Sequence, residues 1–257
     1  MALTAAAALA AIMATTSPAA PPPLVAVVGA AAGAYPVTLS IRYLPWGHPA
    51  PRRPAGTQLM VEISLSGDRR KPSFPAIAHG AGGPWLRQLS RELPAGTLLS
   101  FAPEANAWGH RQPVSAAAYR AAYRTVQAEM GHRLVYVWQV SRWLTTTWTL
   151  PLAQMRPAGV SFVGVDGYYG AGNSYGTVFG PVLSALRRIT RLPVFIAEAG
   201  IPPLPAPQRA ALLSALIAGA RRSDLRGVTY FDEGRWRVTA TSATALSAAL
   251  RSWESSR

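Results

Sequence analysis

The chain has 257 residues, a formal charge of +14 and no cysteine. The missing thiols exclude a disulfide scaffold, a thiolate metal site and a cysteine nucleophile, and 49% hydrophobic residues exclude a disordered chain. One lysine and 24 arginines supply the positive charge, but Arg52-Arg53, Arg69-Arg70-Lys71, Arg187-Arg188 and Arg221-Arg222 are scattered, so a solvated surface is favoured over a nucleic-acid or polyanion stripe.

No charged residue occurs between Met1 and Tyr35, and Arg42 is the first cation. Met1 to Met13 resembles the apolar region of a signal peptide, and Ser17-Pro18-Ala19-Ala20 offers small residues for cleavage. A basic leader is missing, which a start further upstream would supply. The other readings of this segment are a disordered Ala/Pro tail or a buried strand over Leu24 to Val28. Pro21 to Pro23 would stop a membrane helix, and no later apolar run approaches a span. The expected division is therefore residues 1–35, signal-like or disordered, and a body over residues 36–257, secreted or associated with the cell envelope.

From Val37 onward, short apolar runs alternate with amphipathic stretches. The runs are Val37 to Tyr43, Gln58 to Leu65, Thr97 to Ala102, Leu134 to Val140, Phe162 to Val165, Val194 to Ala197 and Val228 to Phe231. Several are almost continuously apolar, as strands buried on both faces should be. Between them, Pro84 to Leu93, Val114 to Met130 (capped by Ser115), Thr177 to Thr190, Ala206 to Arg222 and Ser242 to Trp253 read as helices. This alternation predicts an α/β fold with a parallel sheet. Seven strands in about 220 residues fit a TIM (β/α)8 barrel whose first strand is abbreviated, missing or hidden in the N-terminal segment. A doubly wound sheet is the alternative, but Gly29 to Gly33 and Gly80 to Gly83 lack the spacing of a phosphate-binding turn.

Eleven carboxylates are few, and several directly follow an apolar run: Glu104, Asp166, Glu198 and the Asp232-Glu233 pair. In a barrel these positions face the mouth where sites are built. Two carboxyls across a mouth can hydrolyse a glycosidic bond, one protonating the leaving oxygen and the other attacking the anomeric carbon or activating water. Glu104 and Glu198, on strands four and seven, are the natural pair, although both could equally be salt-bridged rim residues. Trp46, Trp108, Trp138 and Trp143, with Tyr168, Tyr169 and Tyr175, lie at or beyond strand ends, where aromatic faces could stack on sugar rings. Trp138, inside an apolar run, reads equally as core.

The segment Phe101-Ala102-Pro103-Glu104-Ala105-Asn106-Ala107-Trp108 resembles the acid/base segment of glycoside hydrolase family 26, the β-mannanase family of clan A. Tyr119, Tyr123 and Val135 to Trp138 follow in that family's order. Val163 to Tyr168 resembles its strand-six motif, Pro193 to Gly200 its nucleophile strand and Gly227 to Asp232 its eighth strand, while Ile77-Ala78-His79-Gly80 is similar to its lead-in. The resemblance covers about Val37 to Trp253. It implies a retaining endo-β-glycosidase with Glu104 as acid/base and Glu198 as nucleophile, oriented by Tyr168; Trp46, Asn106, Trp108, Trp138, Tyr168 and Tyr169 are the candidate substrate-binding residues. It implies a polysaccharide partner, most nearly a β-mannan, and no cofactor or metal; the four histidines show no ligand spacing. The expectation is a monomer with no nucleic-acid partner. Two features depart from the family: Pro103 replaces its usual histidine, and the loop after Asn106 is one residue shorter. The alternative function is a non-catalytic sugar-binding barrel of the cell envelope.

Overall fold

The structure is a computed structural model and describes residues 23–28, 35–65, 71–110, 115–142 and 150–254. Eight strands alternate with helices: β1 (Leu24–Val28), β2 (Leu39–Pro45), β3 (Gln58–Ser64), α1 (Phe74–Ala78), α2 (Gly83–Glu92), β4 (Leu98–Phe101), α3 (Ala116–Met130), β5 (Val135–Ser141), α4 (Leu152–Met155), β6 (Phe162–Tyr168), α5 (Tyr175–Ile189), β7 (Val194–Gly200), α6 (Ala206–Arg222), β8 (Gly227–Phe231) and α7 (Ala240–Glu254). All pairings are parallel, in the order β1-β8-β7-β6-β5-β4-β3-β2. Between β1 and β2 the sheet nearly closes through Thr38, whose N–H donates to the Val25 carbonyl at 2.9 Å and whose Oγ1 accepts from the Val25 N–H at 3.0 Å. The expected (β/α)8 barrel is the observed fold.

The strand missing from the count is Leu24–Val28, so the barrel begins ahead of residue 36. It pairs with β8 from Leu24↔Gly227 to Val28↔Phe231. Gly227 permits this seam: a Cβ there would lie 1.9 Å from the Leu24 carbonyl oxygen. Residues 1–22, where cleavage was expected, lie outside the described residues.

Strand periodicity separates two cores. Leu24, Ala26, Val28, Leu39, Ile41, Met60, Leu98, Val137, Phe195 and Ala197 point inward and fill the barrel. The alternate residues, such as Val25, Leu59, Val61, Leu99, Trp138 and Val163, point outward and pack under the helices. Of the expected helices, α6 begins and ends as read, and α3 carries its Ser115 cap, whose Oγ accepts from the Ala118 N–H at 3.1 Å. The short α1 and α4 were not expected; four or five residues give too little period to detect.

Arginines scattered in sequence are partly gathered in space. Arg156, Arg187, Arg188 and Arg191 line one surface dent with Ile189, Thr190 and Leu192. Arg187 and Arg188 occupy the last turn of α5, where cations offset the helix dipole. No helix among the described residues is long and apolar enough to cross a membrane.

Candidate active site

The inward row of each strand ends at the barrel mouth, and there it turns polar. Above the apolar filling, Glu62 of β3, Ser100 of β4, Gln139 of β5, Asp166 of β6 and Thr229 of β8 are all at most 2% exposed. Both oxygens of Asp166 accept from Gln139 Nε2, at 3.1 and 2.9 Å.

Glu198 reaches this layer through a bulge in β7. Val165 pairs with Ile196, but Asp166 pairs with Glu198, leaving Ala197 as an extra residue. Phe195 and Ala197 point inward, so strict alternation would send Glu198 out under the helices with Ile196. The extra residue turns it inward beside Asp166, which is how bulges re-aim side chains at sites.

Two phenols hold the Glu198 carboxylate. Tyr43 Oη donates to Oε1 at 2.7 Å, and Tyr168 Oη donates to Oε2. Burial is the main reason both phenols have raised pKa values, with Glu62 and then Glu198 adding to the rise at Tyr43 and Glu198 at Tyr168, so both remain donors. Burial also lifts Glu198 above the usual carboxylate range, while the bonds from Tyr168 and Tyr43 pull it back.

Glu104 follows β4 in a turn where Ala102 and Glu104 both have positive φ, 50° and 57°, on either side of Pro103. Non-glycine residues rarely adopt this conformation, which costs roughly 1–3 kcal/mol per residue and clusters at functional sites. The Glu104 N–H donates to the Gln139 carbonyl at 3.2 Å. Its charge helps to raise the pKa of Glu62, Asp166 and Tyr168, so Glu104 shares their mouth. Glu62 feels the charge of both glutamates singled out in the sequence.

An aromatic wall flanks them. Tyr43 meets Phe231 edge to face at 6.2 Å, Phe231 meets Tyr168 at 6.1 Å, and Tyr168 lies 5.0 Å from Trp236. Arg235 stacks over Trp236 at 4.4 Å. Beneath, the buried Arg209 of α6 donates to the carbonyls of Trp236, Arg237 and Ile201 and fixes the loop after β8.

The other expected sugar contacts fare unevenly. Trp138 is buried in the outer core, facing away from the mouth, because its neighbour Gln139 takes the inward position. Tyr169 is likewise turned out onto Phe179, opposite in parity to Tyr168. Neither ring can touch a ligand in the mouth, which corrects the expectation for both. Trp46 lies just past β2, with its ring on Trp85 and Phe101. Asn106 is buried and spends its amide on the backbone of Ser141, accepting from N–H at 2.9 Å and donating to the carbonyl at 3.2 Å. The Trp108 side chain and residues 143–149, with Trp143, lie outside the described residues. Tyr43, Glu62, Gln139, Phe231 and Trp236 were not singled out. Tyr43 and Glu62 had one signal, their place in the inward rows Leu39-Ile41-Tyr43 and Met60-Glu62.

Buried acids give the fold a predictable pH response. Glu62, Asp166 and Glu198 have folded pKa values above the ordinary carboxylate range, chiefly through burial. The folded state therefore binds more protons than the unfolded one, and their contribution is full below the unfolded pKa of about 4 and lost as pH rises through the folded values. Melting curves should show Asp166→Asn raising Tm more at about pH 8 than at about pH 5. An equal shift at both would show that Asp166 carries no such proton.

No family model matches the sequence, and no curated protein does. Solved structures resemble the fold. The endo-β-1,4-glucanase Xac0029 from Xanthomonas axonopodis pv. citri is 12% identical, with a TM-score of 0.59 over 85% of this chain and 87% of that one. The GH26 β-mannanase BoMan26A from Bacteroides ovatus is 12% identical, with a TM-score of 0.55 over 77% and 69%. The endo-1,4-β-mannanase from Rhizomucor miehei is 8% identical, with a TM-score of 0.56 over 77% and 72%. One of the three is thus a member of the family that the motifs resemble.

Proposed function

We propose that this chain is a retaining endo-β-glycosidase, with a β-mannan-like polysaccharide as the foremost substrate. The observation that carries the reading is Glu198, turned by a bulge into a barrel mouth that Glu104 shares and held by two phenol donors. In the first half-reaction Glu104, protonated, gives its proton to the leaving glycosidic oxygen while a Glu198 oxygen bonds to the anomeric carbon. In the second, Glu104 takes a proton from water as the water oxygen displaces Glu198, and the configuration is retained. Retention requires the carboxyls to stand about 5–5.5 Å apart. Tyr43 and Tyr168 keep Glu198 ionised and aimed, and the wall of Phe231, Tyr168 and Trp236 suits the apolar faces of a sugar ring.

The glucanase and mannanases of like fold support a β-1,4-linked glycan and leave the sugar open. Export fits the same reading, since cleavage within residues 17–20 would leave β1 in the mature chain. The test is incubation of the protein and its Glu198→Gln variant with β-mannans, β-xylans and β-glucans. Reducing ends released by the wild type alone, most from mannan, are expected. Binding without release would favour the non-catalytic sugar-binding barrel. Protein recovered from culture medium should begin near Pro21; a chain retained in the cells with Met1 intact would remove the export reading.

A further inference from the structure

Glu62 is a buried acid to which the two-glutamate mechanism gives no task. It lies in the middle of β3 and points inward, in register with Tyr43 of β2 and Ser100 of β4. It is wholly buried, and neither of its oxygens accepts a hydrogen bond. An ionised carboxylate in that position would be disfavoured, because burial strips its hydration and the Gln139 amide, already donated to Asp166, offsets this only in part. Apart from Gln139, the groups around it do not favour charge. Tyr43 stands on β2, Glu104 after β4, Gln139 on β5, Asp166 on β6 and Glu198 on β7, so three of the five are carboxyls. A neutral Glu62, by contrast, has a proton to give, and the Glu198 carboxylate lies within hydrogen-bonding reach of it.

We propose that Glu62 is held protonated and donates its hydrogen bond to the Glu198 carboxylate, making it a positioning residue for the nucleophile. The inference rests on Glu198 acting as nucleophile and extends that reading to a neighbouring residue of the same layer. Burial, with the Glu198 charge next, drives the Glu62 carboxyl well above the ordinary range. Facing carboxyls that share one proton are the arrangement in which one stays ionised because the other does not. Glu198 then has three donors, Tyr43, Tyr168 and Glu62, and its negative charge is stabilised without being cancelled. The proton stays on Glu62 through the reaction and balances no bond change.

The test has two arms. Infrared difference spectra of the unliganded protein at about neutral pH, in H2O and D2O, should show a protonated-carboxyl C=O band. That band is lost in Glu62→Gln and displaced in Glu198→Gln, which alters its acceptor. In the second arm, kcat/KM is followed against pH. Glu198 must be ionised to attack, so losing a donor raises its pKa and moves the acidic limb to higher pH. Glu62→Gln, which keeps a donor, should leave that limb in place, and Glu62→Leu should move it up by about one to two pH units. Absence of the band, or a wild-type limb in Glu62→Leu, overturns the proposal. If no glycan is cut by any form, the hydrolase reading fails, and the infrared arm still decides whether Glu62 shares its proton with Glu198. If Glu62→Leu does not fold, the spectra of the two glutamine variants decide it.

Discussion

Azide should rescue the Glu198→Ala and Glu104→Ala variants to sugar azides of opposite anomeric configuration. With an aryl β-glycoside as substrate, Glu198→Ala removes the group proposed to bond to the anomeric carbon, and kcat should fall on the order of 10⁴-fold or more. The truncated side chain leaves room on the face that Glu198 attacks. Azide entering there displaces the aryl group directly, with one inversion, and yields the α-glycosyl azide. Glu104→Ala keeps the nucleophile. Its glycosyl-enzyme still forms when the leaving group is good, but no base activates water. Loss of general acid–base help costs about 10²–10⁴-fold with a natural leaving group. Azide needs no base, attacks the covalent intermediate from the opposite face, and yields the β-glycosyl azide after two inversions. NMR of the products reads the configuration. The same anomer from both variants, or two variants as active as the wild type, would dissolve the assignment of roles.

Trp138→Ala should be a stability variant with unchanged substrate affinity. The indole is 1% exposed and packs in the outer core between β5 and the helices. Truncating a buried tryptophan removes its transfer energy and leaves a cavity, at about 3–5 kcal/mol. For a domain of this size that corresponds to a Tm lower by about 10 °C. KM for an oligosaccharide, measured well below the new Tm, should change by less than about twofold, since the ring faces away from the mouth. A tenfold rise in KM with little loss of stability would place Trp138 at the ligand after all.

The contrast between Trp138 and Tyr168 shows how far sequence reasoning reached. Tyr168 ends β6 and Trp138 is the middle residue of β5, yet both looked like sugar platforms. Parity separates them: Gln139 and Tyr168 take inward positions, so Trp138 and Tyr169 turn out. Parity within a strand is readable once one inward residue is known, yet the apolar runs are hydrophobic on both faces and give no such anchor. The bulge in β7 defeats even a correct anchor, because alternation carried forward from Phe195 and Ala197 would place Glu198 outside. Leu24–Val28 was visible only as one of three readings, since an apolar run after a proline cluster has no local mark that tells a strand from a leader.

By itself the sequence determined the alternation of strands and helices, the barrel class, and the pair of glutamates at the ends of the fourth and seventh strands. These follow from hydrophobic period and from the cost of placing scarce charges, both of which are local. Only the tertiary structure decided that Tyr43, distant by 155 residues, bonds Glu198, that the β7 bulge turns Glu198 inward, and that Glu62 lies beside it. Barrel closure brings β2, β3 and β7 around one axis, and the protonation of an acid there depends on burial and charge contributed by all of them at once.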